Sequence, residues 1–320
     1  MSRILVVAPN WIGDALMSQP LLSRLRERRP GVPIDVLAPE WVAPVARRMP
    51  EVDEVIVTPF RHGPLQLRRR WQLGRRLRQL GYAQAIVLPN TWKSALVPFF
   101  ADIPVRSGYL GESRYGLLNL LYRKKSVPMN LHYARLAEPP GTEPAGKLPQ
   151  PRLEVSSAEI SSVKAKFNLA SGYAVLAPGA EYGPAKRWPY FKELSTRIEL
   201  PAVVLGSGSD AQAAHDLQGT NLVGRTTLDE AIALVAGAAF VVSNDSGLMH
   251  VAAALNRPQV ALFGSSSPEH TPPQSAAARV LWLRLECSPC FARECPLGHF
   301  RCMREMGVET VLREIDNLAA

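Results

Sequence analysis

Short apolar runs alternate with longer amphipathic segments along the first half of the chain. The runs have the length and β-branched content of buried strands, whereas the segments repeat apolar residues every three or four positions, as helices do. The predicted strands are 3–8, 33–38, 54–58 and 84–88, and the predicted helices are 15–28, 65–80 and 92–100. This alternation predicts parallel α/β layers.

The alternation starts again after residue 151. The predicted strands are 173–177, 202–205, 240–243 and 259–263, and the predicted helices are 157–167, 189–198, 228–236 and 248–255. Segment 138–151 separates the two series, and its five prolines and two glycines exclude a helix or a central strand. We therefore predict an α/β protein with two Rossmann-like, doubly wound domains, 1–150 and 151–320, that face each other across a cleft. The C-terminal helix could pack back on the first domain.

The net charge of +9 is distributed unevenly. Residues 1–150 contain 22 Lys and Arg against 11 Asp and Glu, whereas residues 151–320 contain 15 against 17. A basic half predicts an anionic partner, which could be nucleic acid, a membrane surface or a phosphorylated substrate; a solubilising surface is the alternative. Because no apolar run reaches the ~18–20 residues of a membrane-spanning helix and the N-terminus lacks a signal-peptide pattern, we expect a cytoplasmic protein.

Ligands of doubly wound sheets bind beyond the carboxyl ends of the strands, so the loops there are the candidate sites. The first strand is followed by Asn10, Trp11, Gly13 and Asp14. These residues do not form the G-x-G-x-x-G dinucleotide fingerprint. Asp14 is either a partner of the helix N-terminus or a general base that projects from the strand end.

The loop after the fourth strand contains Asn90 and Lys93. Because it follows a strand of the same predicted sheet, Lys93 should face the same cleft as Asp14. An ammonium group at this place is the better candidate for contact with a small anionic substrate.

Three loops of the second half suit a phosphorylated ligand. Gly179 begins a glycine-rich loop that continues to Lys186, where backbone N–H groups and a cation could bind phosphate; a basic surface turn is the alternative. Gly206 lies in a loop that could approach a nucleoside. Loop 244–250 places N–H donors and a hydroxyl at a helix N-terminus, and a histidine one turn later could reach the same phosphate. Its candidate residues are Asp245, Ser246, Gly247, Leu248 and His250.

Two further features are a cysteine cluster and an arginine-rich helix. Cys287, Cys290, Cys295 and Cys302 are spaced C-x2-C-x4-C-x6-C, which matches no standard zinc or iron–sulfur signature. Reduced, packed thiols are therefore predicted, and a structural metal is the alternative. Helix 65–80 should bury an apolar stripe and expose its arginines, as a solvated or membrane-surface helix does. The residues of the stripe are Leu67, Trp71, Leu73, Leu77 and Leu80.

Five segments occur in order along the chain and together carry a family resemblance. They are 9–14 (PNWIGD), 88–95 (LPNTWKSA), 186–189 (KRWP), 244–250 (NDSGLMH) and 287–291 (CSPCF). As a set they resemble the lipopolysaccharide heptosyltransferases of glycosyltransferase family 9, from residue 4 to about residue 305. The resemblance implies a GT-B fold, an acceptor-binding first domain, an ADP-heptose-binding second domain, and inverting transfer without a cofactor or catalytic metal. The first and last segments favour an enzyme that transfers heptose onto the first heptose of heptosyl-Kdo2-lipid A. They speak against the enzyme of the preceding step, which adds that first heptose.

Matched by position, the resemblance makes Asp14 the general base and Lys186 the contact to the diphosphate. The candidate donor-binding residues are Gly13, Gly179, Lys186, Gly206, Asp245, Ser246, Gly247, Leu248 and His250. The candidate acceptor-binding residues are Asn10, Trp11, Asn90 and Lys93. The implied partners are ADP-heptose and an anionic, lipid-linked core oligosaccharide. The resemblance also implies peripheral contact at the cytoplasmic face of the inner membrane. It implies no nucleic-acid partner.

Two alternative interpretations remain open. Another GT-B nucleotide-sugar enzyme, such as the heptosyltransferase of the preceding step or a sugar epimerase, would share these loops, but an epimerase would turn over the donor without an acceptor. A basic nucleic-acid-binding protein would account for the net charge of +9. Against it, the basic residues lack interleaved exposed aromatic residues, and no helix-turn-helix or zinc-finger pattern occurs.

Overall fold

A computed structural model describes residues 3–60, 63–169 and 172–319 of the chain. The chain forms two compact units, Met1–Pro151 and Arg152–Ala320, and each unit contains one six-stranded sheet. The functional roles given to the two halves stay predictions.

The first sheet is parallel throughout, with the strand order β3-β2-β1-β4-β5-β6. Its strands are β1 (Arg3–Val7), β2 (Ile34–Pro39), β3 (Glu54–Thr58), β4 (Tyr82–Val87), β5 (Val105–Tyr109) and β6 (Leu120–Tyr122). The α-helices of this unit are α1 (Ile12–Met17), α2 (Gln19–Arg28), α3 (Ala43–Ala46), α4 (Leu67–Leu77), α5 (Leu96–Phe100) and α6 (Met129–Ala134). The chain order reverses between β1 and β4, which creates a topological switch point at their carboxyl ends.

The second sheet is also parallel, and its order β12-β11-β10-β7-β8-β9 repeats the topology of the first sheet. Its strands are β7 (Ala174–Ala177), β8 (Ala202–Val204), β9 (Thr220–Asn221), β10 (Phe240–Asn244), β11 (Gln259–Phe263) and β12 (Ala278–Trp282). The α-helices are α7 (Ser157–Lys166), α8 (Phe191–Arg197), α9 (Leu228–Ala236), α10 (Gly247–Ala254), α11 (Arg301–Arg304) and α12 (Val308–Ala319). Here the switch point lies between β7 and β10.

The predicted helix 15–28 is wrong, because two helices, α1 and α2, occupy this region with Ser18 between them. Pro20 lies in the first turn of α2. A proline inside a continuous helix would lack the N–H that bonds to residue 16 and would collide with that carbonyl group. The chain therefore starts a new helix at Gln19. In the first turn of a helix no N–H has a partner within the helix, so a proline there costs no hydrogen bond.

The predicted apolar stripe of helix 65–80 is correct for only part of its length. Leu73 and Leu77 are buried, but Leu67, Trp71 and Leu80 are exposed. Instead, the buried face of α4 includes the guanidinium of Arg70, which donates to the carbonyl groups of Leu65 (2.7 Å) and Lys93 (3.0 Å). Trp71 is thus an exposed aromatic residue among arginines, contrary to the sequence-based expectation.

Segment 138–151 contains no helix or strand, as predicted, and contacts with the first unit hold it in place. Glu138 pairs with Arg28 of α2, and the carboxylate of Glu143 lies 3.1 Å from the buried Arg135. The C-terminal helix α12 packs with Leu312, Ile315 and Leu318 against the core of the second unit. Its packing on the first domain stays a prediction.

We expect Asp35→Ala to lower the free energy of unfolding by about 1–3 kcal/mol, because it leaves the buried Tyr82 hydroxyl without its acceptor and removes the main partner of the partly exposed Arg3. Asp35 is fully buried and accepts from Arg3 (2.7 and 2.9 Å) and from the Tyr82 hydroxyl (2.6 Å). Denaturant unfolding measures the loss. Glu54→Ala is the control, since its exposed carboxylate lies 3.7 Å from the same Arg3 and should contribute less than about 1 kcal/mol.

Candidate functional site

Four loops meet at the carboxyl edge of the second sheet, because they follow the neighbouring strands β11, β10, β7 and β8. The loops after β7, β8 and β10, with the start of α10, contain the predicted donor-binding residues except Gly13, which lies in α1 of the first unit. The loop after β11, residues 264–267 (GSSS), was missed by the sequence analysis. Its signal in the sequence is a glycine and three serines directly after a buried strand.

A nearly buried ion pair lies at the centre of this edge. The ammonium of Lys186 is 2.5 Å from Oδ2 of Asp245, and the exposed fractions of the two side chains are only 14% and 5%. The hydroxyl of Ser266, from the loop after β11, donates to the same carboxylate oxygen at 2.5 Å. Three of the four loops are thereby joined through one carboxylate, and Lys186 is held at the edge as a fixed cation.

Asn244, the last residue of β10, ties the loop after β7 to this ion pair. Its buried side-chain amide donates to the carbonyl group of Pro178 (2.7 Å) and accepts from the backbone N–H of Trp188 (3.0 Å). These two bonds fix both ends of the segment that carries Lys186. Because the nitrogen and the oxygen of this amide both have hydrogen-bond partners, the asparagine side chain can be buried here.

The N-terminus of α10 is the strongest candidate for phosphate binding. Ser246 is its N-cap residue with extended backbone, and Gly247 is the first helical residue. Within the part of the chain that the structure describes, the Ser246 side chain makes no capping hydrogen bond. The first N–H groups of the helix therefore keep the capacity to bind an anion. Ser246, Gly247 and Leu248 are all partly exposed.

His250 lies in the interior rather than at the edge. It is 6% exposed, and burial lowers the pKa of its imidazole to about 4, with a smaller lowering by Lys186 and an opposing effect of Asp245. The side chain is therefore neutral at pH 7. His250 is therefore a neutral, buried group that feels the charges of Lys186 and Asp245, and it is not an exposed cation.

Gly179 and Gly206 leave room for a buried carboxylate. A Cβ on Gly179 would lie 2.2 Å from Cγ of Asp210, and a Cβ on Gly206 would lie 3.1 Å from Cβ of the same residue. Oδ2 of Asp210 accepts from the backbone N–H and the hydroxyl of Ser207, whereas Oδ1 is buried without a hydrogen bond in the described structure. These glycines are thus needed for close packing of the loops after β7 and β8.

In the first unit, a cavity of about 150 Å³ opens at the carboxyl edge near the switch point. Asn10 and Lys93 both line it, from the loops after β1 and β4. Lys93 donates to the carbonyl group of Gly63 at 2.8 Å, and the indole of Trp41 donates to the carbonyl group of Asn10 at 2.8 Å. The structure therefore brings these two predicted acceptor-binding residues together.

The other predicted residues of the first unit do not line this cavity. Trp11 is exposed and precedes α1, and Gly13 is partly exposed within α1. Asn90 accepts from the guanidinium of Arg114 at 3.3 Å. Arg114 is buried, which lowers its pKa, and it also donates to the carbonyl group of Pro89, so it fixes the loop after β4. The sequence offered no signal for Arg114.

Asp14 lies in the first turn of α1, partly exposed, and is contacted by a buried tyrosine. The hydroxyl of Tyr133, from α6, donates to Oδ1 of Asp14 at 3.3 Å. Burial, together with the charge of Asp14, raises the pKa of Tyr133 well above its usual value, so the phenol stays protonated and remains a donor. Tyr133 thus orients the carboxylate and was not recognised from the sequence.

The four cysteines are free thiols that line one cavity of about 190 Å³, together with Ser265 and His299. Burial raises the pKa of Cys302 to about 11, and the other three thiols add to the effect. In residues 3–60, 63–169 and 172–319, no group of three or more His, Cys, Asp or Glu side chains is arranged to hold a metal ion. The metal interpretation therefore gains no support.

Comparison with known proteins agrees with this architecture. A family model described as glycosyltransferase family 9 (heptosyltransferase) matches residues 70–301. Lipopolysaccharide heptosyltransferase 2 of Escherichia coli is 42% identical, with 99% of this chain and 98% of the relative covered. Lipopolysaccharide heptosyltransferase 1 of Pseudomonas aeruginosa is 26% identical, with 92% and 87% covered. The solved structure of E. coli ADP-heptose lipopolysaccharide heptosyltransferase II has a TM-score of 0.89 and 40% identity, with 99% and 98% covered.

Two parallel six-stranded sheets of the same order, each with candidate ligand-binding loops at its carboxyl edge, match the structure of a glycosyltransferase of the GT-B class. The chain belongs to glycosyltransferase family 9, the heptosyltransferases. Fold class, enzyme class and family, as expected from the sequence, are therefore confirmed.

We expect Gly179→Ala to weaken ADP binding and to destabilise the second unit by about 1–3 kcal/mol, because the new methyl group overlaps the Asp210 carboxylate. Thermal unfolding and calorimetric titration with ADP measure the two effects. Gly208→Ala is the matched control in the neighbouring loop, since its Cβ would meet no atom within 4 Å. If the two variants had equal stability and equal ADP affinity, the close packing at Gly179 would contribute to neither quantity.

We also expect stability to fall as the pH is lowered from about 6.5 towards 4, owing to His250. Its pKa is about 4 in the folded state, so the unfolded state binds a proton that the folded state does not, and unfolding is favoured across this window. His250→Gln should flatten the dependence of the unfolding free energy on pH, by up to about 3 kcal/mol between the two limits. An equally steep pH dependence of the unfolding free energy in His250→Gln would contradict the assignment.

Proposed function

We propose that this enzyme transfers L-glycero-D-manno-heptose from ADP-heptose, with inversion, to the first heptose of the lipopolysaccharide inner core in heptosyl-Kdo2-lipid A. The observation that supports the proposal most is 42% identity over nearly the full length with a heptosyltransferase 2, against 26% with a heptosyltransferase 1. The loops described above supply groups for each step of such a transfer.

In the proposed reaction, Asp14 is the general base. Inversion requires one base that removes the proton from the acceptor hydroxyl while this oxygen attacks the anomeric carbon from the side opposite ADP. A partly exposed carboxylate in the first turn of α1, oriented by a buried phenol, suits this task. The hydrogen bond from Tyr133 holds the carboxylate through Oδ1 in one position and thereby lowers the entropic cost of reaction.

The second unit is proposed to bind ADP-heptose and to stabilise the departing diphosphate. Lys186 supplies a fixed cation, and the α10 N-terminus at Ser246 and Gly247 supplies N–H donors and a positive dipole end. Because Lys186 is paired with Asp245 in the free site, the diphosphate must compete with or share this ammonium. Gly179 and Gly206 let the backbone of the neighbouring loops approach the nucleotide.

The acceptor is proposed to bind at the first unit, where the cavity lined by Asn10 and Lys93 would receive an anionic sugar or phosphate. The excess of basic over acidic residues in 1–150 suits a phosphorylated, lipid-linked oligosaccharide. Across the described residues, no helix combines the length and apolar character needed to span a bilayer. We propose peripheral contact with the anionic, cytoplasmic face of the inner membrane, which the excess of basic residues in 1–150 supports.

The proposal is tested by ADP release from ADP-heptose with and without heptosyl-Kdo2-lipid A. Release that depends on this acceptor is the expected result. Release with Kdo2-lipid A instead would identify the preceding transfer, and turnover of the donor alone would indicate an epimerase-like enzyme. Either result would contradict the proposed function.

We expect Asp14→Asn to lower kcat by roughly 10²–10⁴-fold while ADP-heptose affinity stays nearly unchanged, because only proton removal is lost. Rapid-quench assays and calorimetric titration separate the two quantities. Tyr133→Phe should have a smaller effect on kcat and should move the acidic limb of the pH–rate profile to higher pH, since the carboxylate loses a donor. Turnover of Asp14→Asn at the wild-type rate would remove Asp14 from the role of base.

A further inference from the structure

The outward face of α4 combines exposed apolar and exposed basic side chains. We define the α4 surface by five residues: Leu67, Arg68, Trp71, Arg75 and Arg76, all of which are exposed. The exposed fractions of Leu67 and Trp71 reach 49% and 50%. These two residues are one helical turn apart, so they form one apolar strip beside the arginines.

The opposite face fixes α4 on the first unit. Leu73 and Leu77 are buried in the core. At Gly74 the helix packs so closely on α5 that a Cβ would lie 2.5 Å from Cβ of Phe100. The orientation of α4 is therefore determined by packing, and the exposure of Trp71 is a consequence of that orientation.

The segment of the chain that carries the α4 surface lacks acidic residues. Between Glu54 and Asp102 the sequence contains seven arginines and one lysine but no acidic residue. Asp102 itself is paired with Arg78 at 2.8 Å. Among the residues that the structure describes, none forms an ion pair with the three arginines of the α4 surface.

We propose that the α4 surface docks the enzyme on an anionic lipid bilayer. Arginines attract anionic headgroups, each strengthening binding by about fivefold near the surface, and tryptophan and leucine insert at the headgroup level. A helix that is only solvated has no need for an exposed Trp71 next to Leu67. The apolar strip also favours a bilayer over a nucleic acid, whose backbone would require only the arginines. The proposal rests on the proposed function in one respect, since a lipid-linked acceptor gives docking its purpose.

The test is flotation of the full-length protein with vesicles of phosphatidylethanolamine and phosphatidylglycerol, and with vesicles of phosphatidylcholine. The wild type should bind the anionic vesicles preferentially. Arg68→Gln/Arg75→Gln/Arg76→Gln should weaken this binding on the order of 100-fold. The matched control, Arg225→Gln/Arg279→Gln/Arg313→Gln, removes the same charge from exposed positions of the second unit and should bind as the wild type does.

Insertion of Trp71 is tested by fluorescence. Brominated lipids should quench part of the wild-type tryptophan emission, and Trp71→Phe should lose most of that quenching. The proposal is overturned if the α4 triple variant binds anionic vesicles as the wild type does, or if the control variant loses as much binding. Tight binding of the wild type to duplex DNA or RNA with none to vesicles would also overturn it.

Activity assays keep this proposal separate from the proposed function. The α4 triple variant should use a delipidated acceptor oligosaccharide at the wild-type rate but should use acceptor embedded in anionic vesicles more slowly. Equal rates of variant and wild type on the embedded acceptor would contradict docking through α4. If the vesicle results are as expected but neither acceptor is used, docking stands and the proposed transfer is wrong.

Discussion

The ion pair between Lys186 and Asp245 is the interaction on which the candidate donor site depends. A nearly buried pair adds little net stability, because desolvation of both charges offsets their attraction. Its effect is positional: Asp245 joins the loops after β7, β10 and β11 through Lys186 and Ser266. Asn244 fixes the loop after β7 through two of its backbone groups. An anionic ligand therefore meets a cation that is already in place, which reduces the ordering required on binding.

The two units share one sheet topology, but the residues at the carboxyl edges of their sheets differ. Each sheet reverses its chain order at one point, and the candidate residues follow the two strands on either side of it. In the first unit the proposed base, Asp14, follows β1, and Lys93, which follows β4, lines a cavity. In the second unit the loops carry an ion pair, a helix N-terminus and close-packed glycines. A difference in side chains on one repeated scaffold thus accounts for the proposed division between acceptor and donor.

The sequence was sufficient for features that depend on local pattern. Buried strands such as β7, and β11 after Gln259, appear in the sequence as uninterrupted apolar runs. Four strands were not predicted: β5, β6, β9 and β12. In β5, Arg106 and Gly108 interrupt the pattern, and β9 has only two residues, both exposed. The loops of the site were found because they follow recognised strands. The burial of His250 and the contact of Tyr133 with Asp14 were not, because both depend on packing between distant segments.

The central claim, that Lys186 binds the diphosphate of the donor, is tested most directly by comparing two ligands. Calorimetric titration of the wild type and Lys186→Ala with ADP and with adenosine separates the phosphate contact from the nucleoside contacts. Lys186→Ala/Asp245→Ala controls for the carboxylate that would be left unpaired, and Lys192→Ala controls for the loss of charge. We predict that both Lys186 variants lose about 10–100-fold in ADP affinity and bind adenosine as the wild type does. Unchanged ADP affinity, or an equal loss for adenosine, would contradict the account.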